Sequence, residues 1–326
     1  MTQLDCANKV ATIINVGGEA STLEYDYAIC CSGLRRDHPT VPQSLNKVKY
    51  LAECKEHIDS VRAVDESIVI IGGGAVGVEM ASELKLCHPD KSIKLVHSHS
   101  TILNSEPLPE EFKAKALELL IESGVEPILS ERVVDYKPDS PKDKGFTVTL
   151  KSGKTLRAGK VVWALSHQRP TSTYLPKEAV NEEGYVSVTK HLSLLDTVPN
   201  AAQHFVAGDM AKWSGIKRCG AAMAMAHIAV VNMHQQMLAA EAGRESKLVE
   251  APEVPPMIAL AVGKKAATFH AGDIQTGEDM LKGAFGDDLG LSICWKYMQL
   301  AREPVYESSI KPVEEDPSKP MSMKAM

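Results

Sequence analysis

The hydrophobic positions change period along the chain, and each change marks an element. Residues 67–71 (SIVII) form a short continuous apolar run, the pattern of a parallel strand buried on both faces. The run leads into Gly72-Gly73-Gly74-Ala75-Val76-Gly77, and a helix follows over 78–87 until Pro89 and Asp90 break it. Apolar strands at 93–97 and 125–129, with a helix over 109–123 between them, continue a βαβαβ series. From 133 to 156 the residues alternate around a Lys151-Ser152-Gly153-Lys154 turn, which predicts a β-meander.

On the N-terminal side, 9–16 (KVATIINV) and 27–31 (YAICC) read as strands separated by a Gly17-Gly18 turn. Leu51, Cys54, Ile58, Val61 and Val64 recur at helical spacing and predict a helix over 48–64. On the C-terminal side, 161–165 and 204–208 (HFVAG) are further short apolar strands. A helix rich in Ala, Met and Ile runs over 221–242, and 257–300 reads as a small α/β piece with Gly-rich turns. Residues 311–326, with three prolines and few large apolar side chains, read as a frayed tail.

Composition narrows the function classes. Lys and Arg total 36 against 42 Asp and Glu, a net charge of −6 with no long basic run, which argues against nucleic-acid binding. Seven scattered cysteines without metal-type spacing predict reduced thiols in the cytosol or another reducing compartment. The start MTQLDCANK has no signal-peptide pattern, Thr2 is incompatible with myristoylation, and no apolar run is long enough to span a bilayer. His227 and His234 lack an accompanying Cys or carboxylate cluster, so no metal site is expected. Ser98-His99 and Ser166-His167 lack a third orienting group for nucleophilic catalysis.

The candidate chemistry sits at three places. Gly72, Gly74 and Gly77 form G-x-G-x-x-G between a strand and a helix, with Gly73, Ala75 and Val76 completing the loop. The first glycine permits the turn, the second lets the backbone approach a pyrophosphate, and the third lets helix and strand pack closely. The end of the next strand, where a carboxylate would bind the ribose of NAD, instead carries His97, Ser98 and His99. No carboxylate repels a 2′-phosphate there, which tilts the expectation toward NADP(H), yet no Arg is present. His97 and Ser98 are therefore candidate cofactor-binding residues, and the rival reading makes His97 and His99 solvent-facing loop residues. The second place is Gly208-Asp209, closing the apolar strand HFVAGD. The third is Gly33, ending the strand YDYAICCSG in small residues that let a cofactor come close. Lys217-Arg218 could pair with a phosphate or flavin oxygen, or be solvated.

Together the segments EYDYAICCSG, SIVIIGGGAVGVEMASEL, IKLVHSHSTIL, HFVAGDMAKW and LSICWKYM resemble the pyridine nucleotide–disulfide oxidoreductase superfamily, most closely its apoptosis-inducing-factor-like, ferroptosis-suppressor-like branch. The resemblance runs in order over nearly the whole chain. It implies an α/β flavoprotein fold with two dinucleotide-binding domains, a three-layer ββα and Rossmann-like arrangement, and a small C-terminal α/β piece. It also implies FAD and NAD(P)H as cofactors, hydride transfer from NAD(P)H to flavin, and a quinone or other small molecule as acceptor. Association with a membrane surface without an anchor is compatible with this branch.

By the same resemblance Asp209 contacts the ribityl-phosphate region of FAD and Gly33 lies near the flavin. Glu79 sits close to the nicotinamide–flavin contact, and Lys296 closes over the flavin. Each of the last two has a rival reading, Glu79 as a charge at the positive end of its helix and Lys296 as a solvated surface charge. The expected division is a partial FAD-binding unit (1–40 and 160–245), an NAD(P)-binding unit (41–159) and a C-terminal segment (246–310). The N-terminal βαβ unit that binds the ADP half of FAD has no counterpart in the sequence. The strands at 27–31, 161–165 and 204–208 and the long helix are thereby expected to present bare apolar faces.

Overall fold

The structure is a computed structural model that describes residues 1–15, 17–36, 38–65, 67–139, 145–165 and 169–300. The expected Ser166-His167 pair and the 311–326 tail lie outside the described residues.

A four-stranded parallel sheet organises the glycine loop. Its order is Lys160–Trp163, Ile68–Ile71, Ile93–Val96, Glu126–Ile128. The run at 68–71 is apolar at every position because both faces are covered. Ile68 and Ile70 face the helices Ala75–Cys87 and Glu110–Glu122, packing with Val78, Ala81, Phe112 and Leu120. Val69 and Ile71 face the other way, onto Val148, Leu150 and Leu156 of an antiparallel meander. That meander pairs Val133–Pro138, Phe146–Leu150 and Thr155–Ala158, with Gly153 at φ +87° in its turn, as the alternation predicts.

Two placements differ from the sequence expectation. Lys160–Trp163, assigned above with the flavin unit, is an edge strand of the nucleotide sheet, in register with Ile68–Ile71. A four-residue apolar strand suits any parallel sheet, so its sequence does not say which one it joins. Second, the turn at Gly17-Gly18 leads into an extra strand, Ala20–Glu24, antiparallel to Val10–Ile14. All five of its residues are exposed, so backbone pairing rather than side-chain burial holds it. The C-terminal piece is α/β, as its pattern predicts, and packs onto the nucleotide unit. Its sheet of Ile258–Val262, Lys265–His270 and Asp273–Gly277 buries Leu260, Val262 and Ala267 in the same core as the helices beside the glycine loop.

Of the expected bare faces, that of His204–Val206 is covered, whereas the long helix Cys219–Ala242 buries only Met225, Ala229, Asn232 and Ala239. Ala28–Cys30 pairs in parallel with His204–Val206, and Phe205 and Val206 are fully buried among Leu192, Leu194, Val186 and Met210. Leu165 is exposed, and so is Val230 on the long helix Cys219–Ala242. Two polar residues organise this second core. His204 Nδ1 lies 2.7 Å from the carbonyl of Asn200 and so carries the proton, leaving Nε2 to accept from the Tyr25 hydroxyl at 2.7 Å. Asn232, fully buried on the long helix, donates to the carbonyls of His191 (2.9 Å) and Val249 (2.8 Å) and accepts from the Val249 N–H (2.7 Å). No helix among the described residues is long and apolar enough to cross a membrane.

Removing the Asn232 amide orphans three half-buried backbone groups at once. Asn232→Ala is expected to lower unfolding free energy by about 3 kcal/mol, since each orphan costs about 1–3 kcal/mol less whatever water recovers. Urea denaturation of both proteins measures the difference.

Candidate functional site

The glycine loop is built by backbone contacts that leave no room for side chains. Gly72 ends its strand at φ +121°, where a Cβ would sit 2.6 Å from the Ala164 carbonyl oxygen. A Cβ on Gly77 would lie 1.8 Å from the carbonyl oxygen of Gly72, so the helix Ala75–Cys87 rests directly on the turn before it. A Cβ on Gly73 would lie 2.7 Å from the His97 ring. Gly74 is different: nothing lies within 4 Å of its Cβ position. It is the N-cap residue of the helix, with extended dihedrals, no side-chain cap and no acidic residue in the first turn behind it. The helix therefore presents free N–H groups and its positive end to open space.

That space is a cleft of about 500 Å³ lined by the glycine loop and by His97, Ser98, Arg36, Arg132 and Lys217, among others. Its size suits a bound small molecule. Ala75 and Val76 form part of the same wall, and Ser98 stands exposed beside His97.

His97 has a more specific job than its place in the sequence suggests. Its Nδ1 accepts from the Gly73 N–H at 3.0 Å, which puts the ring proton on Nε2, donated to Asn104 Oδ1 at 2.9 Å. Burial lowers its pKa, which keeps the ring neutral. Both nitrogens are committed within the protein, so the imidazole props the loop instead of offering a donor to a 2′-phosphate. The alternative of a solvent-facing loop residue does not fit it either, since only 9% of His97 is exposed.

Gly208 and Asp209 follow the buried strand His204–Val206. Gly208 is left-handed at φ +78°, and the Asp209 carboxylate lies 3.5 Å from Arg36 Nη2. Because Arg36 also lines the cleft, this pair ties Asp209 to the edge of the nucleotide cleft. Lys217 donates to the Ala211 carbonyl, and its pKa is lowered by burial, so it is not a freely solvated charge. Gly33, left-handed at φ +67°, holds its turn through its carbonyl, which accepts from the Thr171 N–H (3.0 Å) and hydroxyl (2.8 Å).

Glu79 and Lys296 are not brought to the cleft lining. Glu79 lies beyond the first turn of its helix and accepts from the Ala261 N–H of the C-terminal sheet at 3.3 Å. Burial pushes its carboxyl from the ordinary 4.5 up to about 7, offset in part by that hydrogen bond. Lys296 is exposed on the short helix Leu291–Tyr297. Arg36, Arg132 and Glu131 are cleft residues that sequence reasoning missed. They lie in irregular stretches, with no periodicity or spacing to single them out.

The residues fit a dinucleotide diphosphate, on the strength of the open Gly74 position in front of a helix N-terminus. For FAD they supply the carboxylate at Asp209, held by Arg36, beside two left-handed glycines.

A model of the pyridine nucleotide-disulphide oxidoreductase family matches residues 1–226. Among curated proteins, the chain is 45% identical to Oxidoreductase OXR1 of Ajellomyces capsulatus over 93% of its own length and 67% of that protein's. It is 26% identical to human Ferroptosis suppressor protein 1, over 91% of the chain and 76% of the human protein. Among solved structures it resembles the NAD-dependent persulfide reductase of A. fulgidus, with a TM-score of 0.62 at 21% identity. That alignment covers 87% of this chain but only 50% of the reductase. At that identity the likeness speaks to the fold alone, and it agrees with the arrangement of sheets described above. Members of the matching family are FAD- and NAD(P)H-dependent oxidoreductases. With the family model matching more than half of its residues and the glycine cleft built as described, the chain belongs to the pyridine nucleotide-disulphide oxidoreductase family.

Proposed function

We propose that this chain works as an NAD(P)H:acceptor oxidoreductase that uses FAD and passes electrons to a quinone or another small acceptor. The observation that carries the proposal is the Gly74 position, which is open in front of an uncapped helix N-terminus while its neighbours Gly72, Gly73 and Gly77 are all closed by protein.

Each residue has a part. The first-turn N–H groups of Ala75–Cys87 receive the diphosphate of the nicotinamide dinucleotide, and Gly74 lets it approach the backbone. His97 holds the Gly73 N–H so that the loop does not collapse toward the strand. Ser98 and Arg132 border the cleft beyond it, together with Glu131, whose N–H donates to the His97 carbonyl at 3.0 Å. Gly33, Gly208 and Asp209, through Arg36, form the flavin side. When bound, the flavin takes hydride from the reduced nicotinamide and supplies the electrons that reach the acceptor. Glu79 positions the nucleotide-facing helix against the C-terminal sheet, and Lys296 belongs to the segment that we place over the flavin.

The test is spectroscopic. Purified full-length protein is expected to carry a flavin absorbance band that bleaches when NADPH or NADH is added. Gly74→Ala should keep the fold, within about 0.5 kcal/mol, because its Cβ meets nothing, yet weaken dinucleotide binding by about tenfold or more by filling the diphosphate approach. A colourless protein that binds dinucleotide normally would reduce the chain to a nicotinamide-binding module, and unchanged binding by Gly74→Ala would remove the cleft assignment.

The His97 prop predicts a split between two substitutions. His97→Ala orphans the Gly73 N–H and should weaken dinucleotide binding by about tenfold, equivalent to about 1.4 kcal/mol. His97→Asn places an amide oxygen near the former Nδ1 and should recover most of that loss. Titration calorimetry on both variants reads it directly.

Glu79 predicts a pH dependence of stability. Its folded pKa of about 7 lies above the ordinary 4.5, so the native state holds a proton that the unfolded chain releases first. Its contribution is most favourable below 4.5 and is lost as pH rises toward 7, by up to about 3 kcal/mol. Glu79→Gln should therefore raise the melting temperature at pH 8 and shift it only slightly at pH 5.

A further inference from the structure

The sulfur atoms of Cys219 and Cys294 lie 4.0 Å apart, although the two residues are 75 positions apart in sequence. Cys219 is the first residue of the long helix Cys219–Ala242, and Cys294 sits in the middle of the short helix Leu291–Tyr297. Both are free thiols. Cys219 is exposed and Cys294 half-buried, so a small thiol reagent can reach them. Glycines bracket the approach of the short helix: Gly286 and Gly290 are both left-handed in sign of φ, at +64° and +85°. Such a connection can take up the small movement needed to bring two touching sulfurs to bonding distance. Lys296 lies two residues beyond Cys294 on the same short helix.

We infer that Cys219 and Cys294 are a redox dithiol, oxidised by a low-molecular-weight disulfide such as oxidised glutathione, whose bond fastens the Leu291–Tyr297 helix to the start of the long helix. The thiolate of one cysteine attacks a glutathione sulfur, forming a mixed disulfide and releasing one glutathione thiolate. The second cysteine then attacks the protein sulfur of that mixed disulfide and releases the other. Two electrons pass from the protein to the glutathione disulfide, and the two thiol protons end on the two glutathione molecules. Burial and the neighbouring Cys294 raise the Cys219 pKa, which favours the closed disulfide over a free Cys219 thiolate. In a reducing compartment such a bond is transient and serves as a sensor, and closing it fixes the helix that carries Lys296.

The experiment uses the full chain, equilibrated over a range of oxidised-to-reduced glutathione ratios, alkylated, digested with trypsin and read by mass spectrometry. The expected result is loss of two of the seven alkylatable thiols and a cross-link between peptides 219–244 and 283–296, reversed by dithiothreitol. Cys219→Ser should stop at a single glutathione adduct on Cys294, and Cys294→Ser at one on Cys219. Both thiols remaining alkylatable at every ratio would overturn the inference, and so would separate glutathione adducts on the two cysteines of the unmodified protein. A cross-link that instead joins either cysteine to Cys31, Cys54 or Cys87 would overturn it too.

Discussion

The site depends on how closely one helix can approach one strand. The carbonyl of Gly72 occupies the place where any side chain at position 77 would begin, 1.8 Å from the Cβ position. Only two glycines allow that contact. It fixes the axis of Ala75–Cys87 relative to Ile68–Ile71 and thereby aims the uncapped helix end into the cleft. A helix set farther back would still be a helix, but its N–H groups would no longer converge on one diphosphate. The tight turn is then secured from the neighbouring strand: the Gly73 N–H would be an orphan donor without His97, and a buried orphan is costly. Loop, helix and neighbouring strand are therefore one object, held by backbone contacts more than by side-chain packing.

That object is kept rigid by layers on both sides. Alternate residues of Ile68–Ile71 reach opposite cores, one with the helices and the other with the meander. The C-terminal sheet adds a further layer over the helices, where Leu260, Val262 and Ala267 complete the same apolar cluster. The sheet order, with Lys160–Trp163 outside Ile68–Ile71, also puts Trp163 and Ala164 along the cleft wall. Ala164 is the residue whose carbonyl closes Gly72. An edge strand that pattern alone assigns elsewhere thus forms part of the phosphate-facing turn.

What was legible in the sequence follows from how local each constraint is. Gly72, Gly74 and Gly77 were readable because they fall within six residues at a fixed spacing between an apolar strand and a helix. The βαβαβ series and the meander were readable because burial on two faces or one leaves a different period. The membership of Lys160–Trp163 was not, because a short apolar strand carries no mark of its partner. His97 shows the same limit at a site: spacing gave its place at the strand end but not the direction of its ring, which Gly73 and Asn104 decide from other parts of the chain. Arg36 had no signal at all. Its meaning comes from Asp209, which lies 173 residues away and meets it only through the fold.

Glu79 shows how the layers and the cleft are coupled. A carboxyl buried against a sheet would ordinarily be expelled or paired with a cation, and here it is held by one N–H from Ala261 while burial raises its pKa to about 7. It lies on the same helix as Gly77, less than one turn farther on. The Leu260 and Val262 side chains that seat the C-terminal sheet therefore act on the helix that faces the diphosphate, while Lys265 pairs with Glu122 of the neighbouring helix at 2.6 Å. The C-terminal segment is thus a structural support of the nucleotide cleft through one shared helix, even though none of its described residues lines that cleft.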